Sequence, residues 1–225
     1  ASGSAAYVRD FTTNGLTGPL QGGRWRLEVS PTLGSQNFVT ARADVRRYFY
    51  AEPFTVAFQA LHVGNYGASF NDEFGIGNEY IGYPYGQGFV RGYSVQSIAN
   101  GIRENGGCTR VDNAPTTSPC AEIDRLFGTR ALTTRAEIRI PLLGPERLSL
   151  IPFRYLPTTL APFVDAGVTW TNDEGPDLFT FDTDSADTTI PVVSAGVSAR
   201  FNILGSFLLE AYYARPFQRR DTTWE

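Results

Sequence analysis

The feature that most restricts this chain is a period of two, apolar residue against polar, sustained through segment after segment. "RWRLEVSP" sets Arg24, Arg26, Glu28 and Ser30 against Trp25, Leu27, Val29 and Pro31, and "VTARADVRRY" sets Thr40, Arg42, Asp44 and Arg46 against Val39, Ala41, Ala43 and Val45. "FTVAFQAL", "ALTTRAEIRI", "APFVDAGVTW", "VVSAGVSARFNI" and "SFLLEAYYARPF" continue the pattern. Successive side chains leave opposite faces only in an extended strand, so the chain reads as all-β and antiparallel.

The punctuation agrees. Twenty-three glycines and 14 prolines break the segments, and no helical blocks of Ala, Leu, Glu and Lys occur. The net charge is −4 and the 19 basic residues, all arginine, are spread along the strands. That lacks the clustered basic footprint of a nucleic-acid binder, so no nucleic-acid partner is expected. No stretch approaches the roughly 18 apolar residues of a membrane-crossing helix, which leaves a closed barrel as the only way such a chain could span a bilayer.

Alternation alone also fits a soluble sandwich. Two features favour a barrel. The polar face carries arginines and carboxylates together, as a polar lumen requires, and aromatics gather at strand ends (Tyr48, Phe49, Tyr50 and Phe54; Trp170; Tyr212, Tyr213 and Phe217), as interfacial girdles do. Connections are also asymmetric: residues 50–53 and 203–206 are tight, whereas 68–129 and 172–189 are long. The expectation is a transmembrane β-barrel with about eight strands of about 9 to 11 residues each.

Within the long connection, Val90-Arg91-Gly92-Tyr93 resembles the motif of the BamA/TamA-like outer-membrane assembly and translocation family, whose C-terminal part is the bacterial surface antigen barrel. "TTRAEIRIPLLG" (133–144), "LAPFVDAGVTW" (160–170) and "SAGVSARFNILGSFLLEAYYARPFQRR" (194–220) resemble family strands in the same order, and the similarity reaches upstream to "FVTARADVRRYF". The resemblance implies that residues 1–225 are the C-terminal part of one sixteen-stranded barrel, with the upstream strands and the final strand lying beyond them; completion by another chain and a self-closing eight-strand barrel are the alternatives. It implies that residues 68–129 form a loop inserted into the lumen, where Arg91 meets Glu137 and Asp165, the latter within Phe-x-Asp-x-Gly with Gly167. The periodicity separately sets Glu137 and Asp165 on the polar face. A planar guanidinium can bridge two carboxylates where lysine acts as a point charge. Gly92 is expected to permit a tight turn, and Tyr93 to pack its ring against the inner wall with its hydroxyl wetted.

The resemblance further implies a bacterial outer-membrane location and insertion or translocation of polypeptides, with outer-membrane lipid, unfolded outer-membrane polypeptides and envelope assembly partners as the things met. The alternative is an anchor or structural subunit for a soluble module or a larger envelope assembly. No enzymatic activity and no cofactor are expected: "GYSVQ" places Gln96 where a nucleophile elbow needs glycine, and His62, the single histidine, reads as a strand residue near the rim. Cys108 and Cys120, in one loop of an exported chain, read as a disulfide, with free thiols or half a metal site as alternatives. Asp173, Glu174, Asp177, Asp182, Asp184 and Asp187 are oxygen ligands that calcium could use, but their spacing fits an acidic solvated loop better than any EF-hand.

Overall fold

A computed structural model describes residues 1–34, 37–67, 79–83, 89–104, 121–171, 175–181 and 189–219. The strands are β1 (Ala5–Asp10), β2 (Thr13–Asn14), β3 (Pro19–Thr32), β4 (Phe38–Ala51), β5 (Phe54–Tyr66), β6 (Glu79–Tyr80), β7 (Gly82–Tyr83), β8 (Val90–Ser94), β9 (Phe127–Gly128), β10 (Arg130–Gly144), β11 (Ile151–Pro152), β12 (Thr158–Trp170), β13 (Val192–Ile203) and β14 (Phe207–Pro216). Two helices, α1 (Val95–Glu104) and α2 (Ala121–Asp124), lie between β8 and β9.

Ten strands form one sheet. Its long members run β1-β3-β4-β5-β10-β12-β13-β14, each antiparallel to its neighbours, with β2 and β11 added beside β3 and β10. Spatial order equals chain order, the meander that local hairpins generate. The expected strand count is met, but several strands reach 13 to 15 residues, longer than the expected span. β1 carried no alternation signal.

Burial across this sheet is inverted relative to a soluble domain. The face bearing Asp44, Glu137, Asp165 and Arg200 is buried, while the face bearing Leu27, Val29, Phe58, Ile138, Val164 and Val197 is open, each of these six about half exposed. A soluble sandwich would hide the second set and wet the first.

The sheet curls toward its polar face. β3 and β13 are five interstrand steps apart, about 24 Å on a flat sheet. Yet the turn leading into β3 touches β13, the Asn202 side-chain amide donating to the Leu16 carbonyl. One rim carries the connections 11–18, 52–53, 145–157 and 204–206, and the opposite rim carries 33–37, 67–129 and 171–191. The 145–157 connection, which carries β11, lies on the rim expected to hold only tight turns, but the two longest connections share an edge. On that edge His62 stacks on Trp170, ring centroids 5.5 Å apart. Its Nδ1 is 2.9 Å from the Ala131 carbonyl, which only an N–H can satisfy, so the Tyr66 hydroxyl donates to Nε2 at 2.7 Å. That placement accounts for His62 as a rim strand residue.

Candidate functional site

The connection between β5 and β10 folds back over the polar face. β6 pairs with β9 and β7 pairs in parallel with β8, so the 68–129 connection holds short strands and a helix, and Val90–Ser94 is itself a strand rather than an open tip. Helix α1 starts where Ser94 Oγ accepts from the Ser97 N–H at 3.4 Å, a capping contact. It presents Val95 and Ile98, three residues apart on one side, to a cluster of Ile81, Val90, Tyr93, Leu126, Ala131 and Val192. Ala131 and Val192 belong to the sheet, so this small apolar core docks the segment on the inner ends of β10 and β13.

Two glycines make the docking possible. A β-carbon on Gly167 would lie 2.7 Å from Val90 Cγ2 and 2.9 Å from Ile81 Cδ1, so its absence is the seat for both side chains. Gly92 has φ +87°, a conformation β-carbons disfavour, and sits against Ala214 and Pro216 of β14.

Arg91 projects from this strand into a charge cluster while only 1% exposed. Its Nε and Nη2 donate to Asp165 Oδ2 and Oδ1 at 2.7 and 2.8 Å, and its backbone N–H reaches Oδ2 at 3.3 Å. Nη2 also lies 3.1 Å from Glu137 Oε1, and Nη1 lies 3.6 Å from Glu210 Oε1. The Arg91 Cζ lies over the Phe163 ring, 3.3 Å from its centroid, a cation–π contact strengthened by desolvation.

The cluster is wider than Arg91, Glu137 and Asp165. Arg135 Nε approaches Asp165 Oδ1 at 3.2 Å, Arg139 Nε approaches Glu137 Oε2 at 3.1 Å, and Arg200 bridges Glu137 at 2.9 Å to Glu210 at 3.1 Å. Alternation had set these arginines on the polar face. Which carboxylate each meets depends on register, for instance Arg135 opposite Asp165, and a single sequence does not carry register.

Tyr93 departs from expectation. Its hydroxyl is buried, not wetted: it donates toward Gln218 Oε1 at 2.8 Å, with the Val193 carbonyl at 3.0 Å, and accepts from the Gln218 N–H at 3.0 Å. Burial pushes this phenol upward from its ordinary pKa. Arg219 completes the clasp, Nη1 donating to the Gly92 carbonyl at 3.1 Å and Nη2 to Ser97 Oγ at 3.1 Å. The chain leaving β14 is therefore fastened to the motif. No sequence signal marked Gln218 or Arg219.

Glu79, at the start of the folded-back segment, is raised by burial, opposed by a hydrogen bond from Asn65 and by the Arg42 charge. Among the described acidic-loop residues, Asp177 is engaged locally, accepting from Thr180 Oγ1 and from the Phe179 and Thr180 N–H groups. Those bonds hold its carboxyl below the usual range. Asp173, Glu174, Asp182, Asp184 and Asp187 lie outside the described residues, as do Cys108 and Cys120 with their expected disulfide. The described residues contain no cluster of three or more His, Cys, Asp or Glu suited to a metal.

No family model matches the chain, and no curated protein matches it either. Among solved structures it is similar to BamA from Haemophilus ducreyi lacking POTRA domains 1–3, with a TM-score of 0.64 and 18% identity, over 99% of this chain and 40% of that one. At that identity the likeness is one of fold: an all-β antiparallel sheet of the BamA kind.

Proposed function

We propose that this chain is part of a transmembrane β-barrel of the bacterial outer membrane that inserts or translocates polypeptides, in the manner of a BamA-like assembly protein. In this reading further strands pair with the open edges of β1 and β14 to complete sixteen. The apolar face meets lipid, and the described parts of the folded-back segment, residues 79–83, 89–104 and 121–128, occupy the lumen. The alternative, an anchor for a soluble module, has no specific support in the geometry.

The observation that carries the reading is the Arg91 cluster, a chain segment pinned by buried charge to the inner face of an inside-out sheet. Buried ion pairs add little net stability compared with apolar packing. A cluster joining β8, β10, β12, β13 and β14 serves instead to fix one arrangement of the folded-back segment against the wall. The test is reconstitution of the full-length protein in lipid vesicles, followed by the yield of an unfolded outer-membrane protein that becomes protease-resistant. The reading expects a higher yield with wild-type protein than with Arg91→Ala. Equal yields from wild type, Arg91→Ala and empty vesicles would count against insertion.

A further inference from the structure

Beside the Arg91 cluster, toward the short turns, the polar face lines a half-open cavity of about 240 Å³. Arg46, Gln59, Arg135, Arg139, Arg200 and Glu210 are among its walls. The folded-back segment reaches its border, where Arg91 meets Glu137 and the Phe89 carbonyl accepts from Arg135. The short-turn mouth is crossed by the turn between β2 and β3, which contributes Thr17, Gly18 and Pro19 to the cavity lining.

That turn is fastened to strands far from its own. Arg139 Nη1 on β10 donates to the Pro19 carbonyl at 3.0 Å, the Thr17 and Thr159 hydroxyls are 2.6 Å apart, and Asn202 on β13 donates to the Leu16 carbonyl. These ties span 120 to 186 residues of sequence. None is needed to close the β2–β3 hairpin, which already has its own bond from the Gly15 N–H to the Gly18 carbonyl at 2.7 Å. Leu16 is 43% exposed, and the turn faces Pro141, Leu143, Leu148 and Pro157 across a small gap, so the polar ties carry much of its attachment. An element held this way is drawn from the low-stability end of a fold and opens as a unit.

We propose that residues Gly15–Pro19 are a strap that gates the polar chamber from the short-turn side. In the position seen here, the strap lies across the short-turn mouth of the chamber and narrows it. Released from Thr159 and Asn202, it opens the arginine-lined chamber to that side of the membrane while the Arg91 cluster stays intact. Small polar solutes and extended polar chain could then enter. The inference rests on the barrel reading above.

The test uses full-length protein with Cys108→Ser and Cys120→Ser, carrying Gln59→Cys in the chamber and reconstituted in vesicles. The readout is the labelling rate by a membrane-impermeant thiol reagent applied from the short-turn side. Thr17→Val with Asn202→Ala removes two of the three ties, and the loss of two hydrogen bonds is expected to raise the labelling rate about tenfold. Asn202→Ala alone should give an intermediate rate, and decides the matter if the double variant does not fold. Equal rates in integrated, heat-modifiable wild type and strap variants would overturn the strap and leave the barrel standing. A chain stripped from the vesicles by carbonate would overturn both.

Discussion

Asp165 is shared by two arginines that reach it by different routes. Arg135 is its cross-strand register partner on β10, and Arg91 arrives from the folded-back segment to grip both carboxylate oxygens. One wall residue thus couples strand pairing to the position of a segment 74 residues away in sequence.

Removing Arg91 leaves Asp165 and Glu137 buried with their remaining arginines. Breaking one side of a buried pair costs about 3 to 5 kcal/mol, and the surviving partners place Arg91→Ala near the lower figure. Arg91→Lys should recover little, because an ammonium cannot grip Asp165 in a fork and reach Glu137 as well. Urea midpoints of heat-modifiable protein measure both. In a double-mutant cycle with Asp165→Asn, the double variant should lose less stability than the sum of the two single losses.

Gly167→Val would place methyl groups where Val90 and Ile81 now sit. The sheet has no reason to break, so the expected result is displacement of the segment alone. Limited proteolysis should then cut within residues 79–104 while the strands stay resistant, a pattern absent from wild type.

Glu79 gives a pH signature. Its folded pKa is raised, so above the ordinary carboxylate range the folded state holds the proton more tightly than the unfolded chain does, and stability falls as pH climbs toward the raised value. Glu79→Gln should remove that decline, leaving the variant less sensitive to pH than wild type across this window. Denaturation midpoints from pH 4 to 7 would show whether the two curves differ in slope as expected.

The outer face predicts a different sensitivity. Val164 is 50% exposed and lies beside buried Asp165 on the same strand. In the proposed barrel, Val164→Arg would set a guanidinium against hydrocarbon, a cost of about 2 to 4 kcal/mol near the midplane. Folding yield into vesicles should drop for Val164→Arg, while in detergent micelles the loss should be smaller.

Much of this was legible in the residues. Alternation fixed which side chains share a face, because a strand's period admits only two choices, and it set Glu137, Asp165, Arg139 and Arg200 together before any pairing was known. The motif resemblance supplied the idea that Arg91 belongs with them. The rest needed three dimensions. Register decides that Arg135 meets Asp165, helix α1 lies in a connection with no extended periodic pattern, and the Tyr93 hydroxyl is bonded by Gln218, which follows β14 by two residues in a stretch that reads as an ordinary loop. The strap ties were equally hidden, since backbone carbonyls such as those of Leu16 and Pro19 carry no sequence signature.

The central claim, an inside-out sheet that spans a bilayer, is tested most directly by spin labels placed one at a time from Val39 to Phe49 along β4 in vesicle-reconstituted full-length protein. Oxygen accessibility should peak at 39, 41, 43, 45, 47 and 49, whose side chains leave the outward face, and fall at 40, 42, 44, 46 and 48. Collisions with a water-soluble relaxation agent should be lowest at the outward positions in mid-strand. High access of the water-soluble agent to the odd positions through the middle of β4, with no alternation in oxygen accessibility, would contradict the account.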